Sequence, residues 1–129
     1  MDDYLIFLQG YPFDHSPNII SNLNRYLNRE NNIDFEFLSE KVINCNLSGC
    51  RYHAALPLRS VYEKVFNIKK DFHEFQFGAG AQFIVSKEAI LRRPKSFYLK
   101  IVELLEKSVN PIEGFVIERF HKLIFTSES

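Results

Sequence analysis

The sequence predicts a small α/β domain, in which a few-stranded sheet is packed by about four to five helices. Short apolar runs rich in β-branched and aromatic residues, at 4–8 and 82–85, are typical of buried strands. Longer segments between them repeat apolar residues at helical spacing. The 129 residues are 46% hydrophobic and include 13 Phe and 6 Tyr, which is enough for one core without disulfide or metal support. We therefore predict a single domain over 1–129.

In the first half, the strand at 4–8 is followed by the turn sequence Gln9-Gly10-Tyr11-Pro12. Ser16-Pro17 then predicts a helix start, and apolar residues recur at helical spacing to about Arg29. Residues 34–37 alternate acidic and aromatic side chains, which predicts an edge strand. Residues 42–51 read as a loop.

In the second half, Pro57 opens a helix with a clean apolar stripe that ends near Lys69. A glycine turn at 78–80 leads into the strand at 82–85. Ser86 is placed to cap the next helix, which Pro94 ends. Two more helices follow, one from Ser96 and one from about Ile112.

Composition excludes several classes of protein. Lys plus Arg equals Asp plus Glu at 16 each, so no global field favours nucleic acid or an acidic membrane surface. No window approaches the roughly 18 apolar residues that span a bilayer, and the first residues lack the basic region of a secretory signal. We therefore expect a soluble, cytoplasmic protein with no membrane span and no nucleic-acid partner.

Two cysteines, Cys45 and Cys50, fall in the predicted loop with only His53 nearby, which is too few ligands for a zinc site. Reduced structural thiols are the expectation, and a disulfide would require the loop to bring the two together. The remaining histidines stand singly, so neither a hydrolase triad nor a zinc site is predicted.

A basic cluster of Arg92, Arg93 and Lys95 surrounds Pro94, where an anion would meet three positive charges within one turn of chain. The alternative is a solvated helix C-terminus, where the helix dipole favours cations in any case.

The segments GAQFIVSKEAILRRPKSFY (80–98) and IERFHKLIF (117–125) together resemble the C-terminal half of an uncharacterised family of glycosyltransferase-like proteins. The segment FLQGYPFDH (7–15) is similar to a strand end of that family. The resemblance touches about half of the chain, at its two ends. His121 stands where the family usually has tryptophan. The implied fold is a truncated glycosyltransferase-like domain lacking the N-terminal βαβ unit that holds the nucleotide.

The resemblance implies a metal-independent mechanism and no cofactor. Many related transferases hold a divalent metal with an Asp-x-Asp pair after a central strand, whereas this chain has Gln9, Gly10 and Tyr11 there. Asp14-His15 is better explained as a turn, so no metal ligand is assigned. Basic side chains would then neutralise the leaving diphosphate, and Arg92, Arg93 and Lys95 are the candidates.

Glu118, within the second matching segment, is the candidate general base for an acceptor hydroxyl. Its alternative is an ion pair with Arg119 or Lys122, or a structural bond to Arg93. The candidate substrate cleft joins the first strand end to the glycine turn, and its residues are Gln9, His15, Gly78, Gly80 and Gln82. The glycine pair precedes a strand and lacks a third glycine, so it is no dinucleotide fingerprint.

Two functions remain open from the sequence. The first is transfer of a sugar from a nucleotide-sugar donor to a carbohydrate acceptor. The second is a non-catalytic remnant or accessory module that binds carbohydrate or a partner chain. Both leave an N-terminal sheet edge bare, which predicts self-association into a homo-oligomer or pairing with a separate nucleotide-binding chain.

Overall fold

The computed structural model describes residues 3–28, 33–49, 56–107 and 112–126, and these form a mixed α/β domain with two small antiparallel sheets. The strands are β1 (Tyr4–Phe7), β2 (Phe35–Phe37), β3 (Val42–Asn46), β4 (Glu74–Gly78) and β5 (Phe83–Ser86). The helices are α1 (Ile19–Leu27), α2 (Leu58–Phe66), α3 (Lys87–Leu91), α4 (Lys95–Glu106), α5 (Ile112–Arg119) and α6 (His121–Phe125). None of the helices in these ranges has the length and apolar character that a bilayer crossing requires.

The first sheet has the order β1–β5–β2, and it is covered on both faces of its central strand. Ile84 packs with Ile19 of α1 on one face, whereas Phe83 and Val85 pack with Ala89 of α3 on the other. The side chains of β5 alternate between two apolar layers, so the whole strand is buried. The strands predicted at 4–8 and 82–85 and the edge strand predicted at 34–37 are confirmed.

The second sheet pairs β3 with β4, so the prediction of a loop over 42–51 is wrong for residues 42–46. Cys45 and Phe75 face the core, while Asn44 and Gln76 lie opposite each other on the exposed face. The Gln76 side-chain amide donates to Asn44 Oδ1 at 3.0 Å. Asparagine is unfavourable in strands, so the residue types of this segment did not predict one. The alternation of buried and exposed side chains in β3 is stabilised by packing against the core.

The main core lies between the second sheet and helices α2, α4, α5 and α6, and Phe120 is at its centre. The Phe120 ring contacts the rings of Tyr62, Phe66 and Phe75 at centroid distances of 5.3–5.9 Å. Phe120 also interrupts the single C-terminal helix that was predicted, because the chain turns there between α5 and α6.

Local signals predict one helix start correctly and another only approximately. The helix predicted from Ser16-Pro17 begins only at Ile19, since the Ser16 hydroxyl is buried and donates to Leu38 O at 2.6 Å. The cap predicted at Ser86 is confirmed, because its hydroxyl accepts a hydrogen bond from Ala89 N at 3.0 Å.

Cys45 is in a disulfide, so the prediction of reduced thiols is wrong for this residue. Cys50 lies outside the described residues. The alternation of β3 buries Cys45, which the predicted loop did not anticipate.

Candidate functional site: an aromatic groove

A groove of about 530 Å³ lies where the end of β1 and the start of β5 face helices α4, α5 and α6. We call it the aromatic groove. Phe7 and Phe83 form its sheet side, with ring centroids 4.7 Å apart. Tyr98, His121 and Phe125 are on its helical side. The groove is completed by Leu8, Gln9, Gly80, Ala81, Ile101, Ile117 and Ile124.

The mouth of the groove brings together four of the five residues predicted for the substrate cleft. Gly80 has a φ of +85°, and a Cβ atom there would lie 2.7 Å from His15 Cδ2 and 3.0 Å from Gln9 Cδ. The side chain of Gln82, two residues after Gly80, accepts a hydrogen bond from the main-chain N–H of Gln9. Only glycine therefore allows the turn before β5 to approach the end of β1 this closely.

Gln82 holds this mouth together. Its side chain is fully buried; it accepts a hydrogen bond from Gln9 N at 3.1 Å and donates to Pro12 O and to Ser16 Oγ at 3.2 and 2.9 Å. These bonds tie β5 to the segment after β1. Gln82 thus positions the groove, whereas Gln9 and His15 remain accessible at its mouth.

Gly78, the fifth predicted cleft residue, lies apart from the groove. It is the last residue of β4 and is buried against Phe37 and Ser39. A Cβ atom at Gly78 would come within 2.9 Å of the Phe37 ring, so the position requires glycine for space. Its role in the structure is the packing of the two sheets against each other.

The predicted diphosphate-binding arginines are hydrogen-bonded to the chain itself. Arg92 pairs with Asp34 at 2.9 Å and donates to Phe125 O at 3.1 Å. Arg93 donates to Ile124 O and Leu123 O at 2.6 and 2.9 Å. Both guanidinium groups therefore bind the C-terminal carbonyls of α6, where helix carbonyls lack intrahelical partners.

Arg93 is also enclosed by aromatic rings. Its guanidinium carbon lies 4.4 Å from the centroid of Phe97 and 5.2 Å from that of Phe66. This burial lowers the pKa of Arg93 from its usual value, although Tyr98 and Tyr62 act in the opposite direction. Both arginines are thus held by the chain itself, and a freely solvated helix C-terminus, the predicted alternative, does not describe Arg93.

The two remaining predicted residues, Lys95 and Glu118, lie on helices that border the groove. Lys95 is the first residue of α4 and is exposed. Glu118 is half-buried on α5, next to the groove residue Ile117, but does not itself line the groove. Its roles as a general base and as a structural ion-pair partner both stay open.

His121 is the groove residue that sequence reasoning missed as a site. Its imidazole packs on Phe83 at a centroid distance of 4.7 Å. Burial lowers the pKa of His121 from 6.5 to about 4, so the ring is neutral at physiological pH and has one donor and one acceptor nitrogen. The signal in the sequence was its position between Ile117 and Ile124, two apolar residues that also line the groove.

We expect His121 to make the domain sensitive to mild acid. Its pKa is lower in the folded chain, so the unfolded chain takes up the proton first and stability is lost as pH falls from about 6.5 towards 4. Between about pH 7 and pH 4.5, the wild type should lose about 2 kcal/mol more unfolding free energy than His121→Phe. Urea unfolding of both proteins at the two pH values measures this. Equal losses would contradict the prediction.

Among the described residues, no three His, Cys, Asp or Glu side chains are grouped closely enough to hold a metal ion. The model of a family described as a protein of unknown function (DUF3431) matches residues 37–129. This match runs from the end of β2 to the C-terminus and includes the helical side of the groove. Comparisons with curated proteins and with solved structures find no match.

Proposed function

We propose that this chain, which belongs to the DUF3431 family of proteins of unknown function, is a glycosyltransferase-like module that binds carbohydrate in the aromatic groove without transferring it. The observation that carries the proposal is the combination of aromatic rings inside the groove with polar side chains at its mouth. Ligand sites in proteins are typically apolar concavities with a few converging polar groups.

The chemistry of a sugar ring fits this arrangement. A pyranose presents C–H groups on its faces and hydroxyls around its rim. The rings of Phe7 and Phe83 offer apolar faces, while the Gln9 amide and the His121 imidazole can donate and accept hydrogen bonds. The volume of about 530 Å³ falls within the usual range for small-ligand sites.

Binding is preferred to transfer because of the arginines. A leaving diphosphate needs cations, and Arg92 and Arg93 already donate to Asp34 and to the carbonyls of α6. Transfer from a nucleotide sugar to an acceptor hydroxyl is the second candidate, with Glu118 as base. Glu118 follows the groove residue Ile117 in α5 but does not line the groove itself.

The test is a titration of the ¹⁵N-labelled chain with glucose, galactose, mannose and N-acetylglucosamine, and separately with uridine and guanosine diphosphates. We expect a sugar to shift the amide signals of residues 80–83 and 117–125. Phe7→Ala should weaken this binding about five- to tenfold, since an aromatic contact contributes about 1 kcal/mol.

Phe72→Ala is the matched control, because Phe72 is also an exposed phenylalanine but lies outside the groove. It should leave sugar affinity unchanged. Binding of a diphosphate together with a sugar would favour transfer over simple binding. If none of the sugars moved the groove signals, the proposal would be wrong.

A further inference from the structure

Strand β1 presents apolar side chains on an unpaired edge of the first sheet. One edge of β1 pairs with β5, and within the described residues no strand pairs with the other. Leu5, Ile6 and Phe7 are 40–50% exposed. Monomeric proteins usually protect a sheet edge with charge, proline or a bulge, and the sequence YLIF has none of these. The edge therefore has the character of an interface.

We propose that β1 pairs antiparallel with β1 of a second copy of this chain, so that two three-stranded sheets join into one six-stranded sheet. The second copy would cover the bare edge of β1. It rests on the geometry of β1 and does not depend on the ligand of the aromatic groove.

A two-fold axis through Ile6 gives a self-complementary register. Phe7 lies on the same sheet face as Phe83, because their rings stack, and Ile6 lies on the opposite face with its partner Ile84. In an antiparallel pair, directly opposite residues share a face. Ile6 then meets Ile6 of the partner subunit, and Leu5 meets Phe7 of the partner subunit, so that every central pair is apolar.

Charge is compatible with the same register. Asp3 precedes the strand, and the two-fold axis places it opposite Gln9 of the partner subunit. The acidic residues of the two copies therefore stay at opposite ends of the paired strands. Like charges directly across a sheet are destabilising, and this pairing has none.

The apolar side chains that the axis pairs are Leu5, Ile6, Phe7 and Leu8, and each is 40–50% exposed. At about 100 Å² exposed for each, the two copies would bury at most about 800 Å², the size of a weak interface. We therefore expect a weak dimer, with a Kd on the order of 100 µM.

Sedimentation velocity of the full chain, from about 10 µM to about 1 mM, tests the proposal. The wild type should be dimeric at the upper end. Ile6→Lys and Ile6→Glu should each be monomeric, because the axis sets two like charges against each other. An equimolar mixture of the two variants should restore the dimer, since residue 6 then meets its opposite charge.

Ile20→Lys is the matched control, because Ile20 is an exposed isoleucine on α1 and not on β1; it should remain dimeric. Amide spectra verify that each variant is folded, and the wild-type series tests the proposal even where a variant is not. A wild type that stays monomeric at about 1 mM, or a mixture that stays monomeric, would overturn the inference. Sedimentation reports the dimer and the groove signals report the sugar, so failure of one proposal is distinguished from failure of the other.

Discussion

Arg93→Ala is expected to lower the free energy of unfolding by about 2–4 kcal/mol. The substitution removes two charge-assisted hydrogen bonds, to Leu123 O and Ile124 O, and leaves both carbonyls without their partner. It also removes the guanidinium from the rings of Phe66 and Phe97. Of the two arginines that bind the end of α6, only Arg92 would remain.

Urea unfolding measures this loss. Lys95→Ala is the control for the same basic cluster, and we expect a change within about 0.5 kcal/mol because Lys95 is exposed. Arg93→Lys should recover less than half of the loss, since an ammonium group cannot bridge two carbonyls as the guanidinium does. An Arg93→Ala protein that kept its stability but lost diphosphate binding would instead support the phosphate role predicted from the sequence.

Gln82→Leu is expected to lower the free energy of unfolding by about 2–3 kcal/mol. Leucine fills a similar volume, but Gln9 N, Pro12 O and Ser16 Oγ would each lose the bond that Gln82 makes to them. Ser16 Oγ keeps its bond to Leu38 O and Pro12 O keeps the bond from Ser16 N, so the cost is that of three lost hydrogen bonds, at about 1 kcal/mol each.

The matching control is Gln76→Leu, because Gln76 is an exposed glutamine whose hydrogen bonds lie at the surface of β4. Its stability should change by less than about 0.5 kcal/mol. Gln82→Leu should also move the amide signals of the groove mouth, whereas Gln76→Leu should not. Similar losses in the two variants would show that the buried network does not stabilise the mouth.

Much of the fold could be predicted because its strongest signals are local. The Ser86 cap, the apolar stripe of α2 and the uninterrupted apolar run of β5 each follow from residues close together in sequence. The β3–β4 pair could not be predicted in this way. Its strands are joined by a long connection, and Asn44 and Asn46 are residue types that do not indicate a strand. The alternation of β3 depends on the burial of Cys45 and Phe75 in the core.

The site was predicted in part for the same reason. Gln9, Gly80 and Gln82 are adjacent to two strands that were themselves predicted, so their meeting followed from one pairing of β1 with β5. The partners of the basic cluster could not be predicted from neighbouring residues. Nothing near Arg92 and Arg93 in sequence indicates that the carbonyls of α6, about thirty residues later, take up their hydrogen bonds.

The pairing of β1 with β5 also governs the order in which the chain can fold. Tyr4 pairs with Ser86, so β1 has no neighbour in its own sheet until the much later strand β5 has also been synthesised. Contacts this distant in sequence are slow to form, and an unpaired apolar strand is a template for aggregation while it waits. Strand β1 is therefore a segment that a chaperone would usefully cover during synthesis.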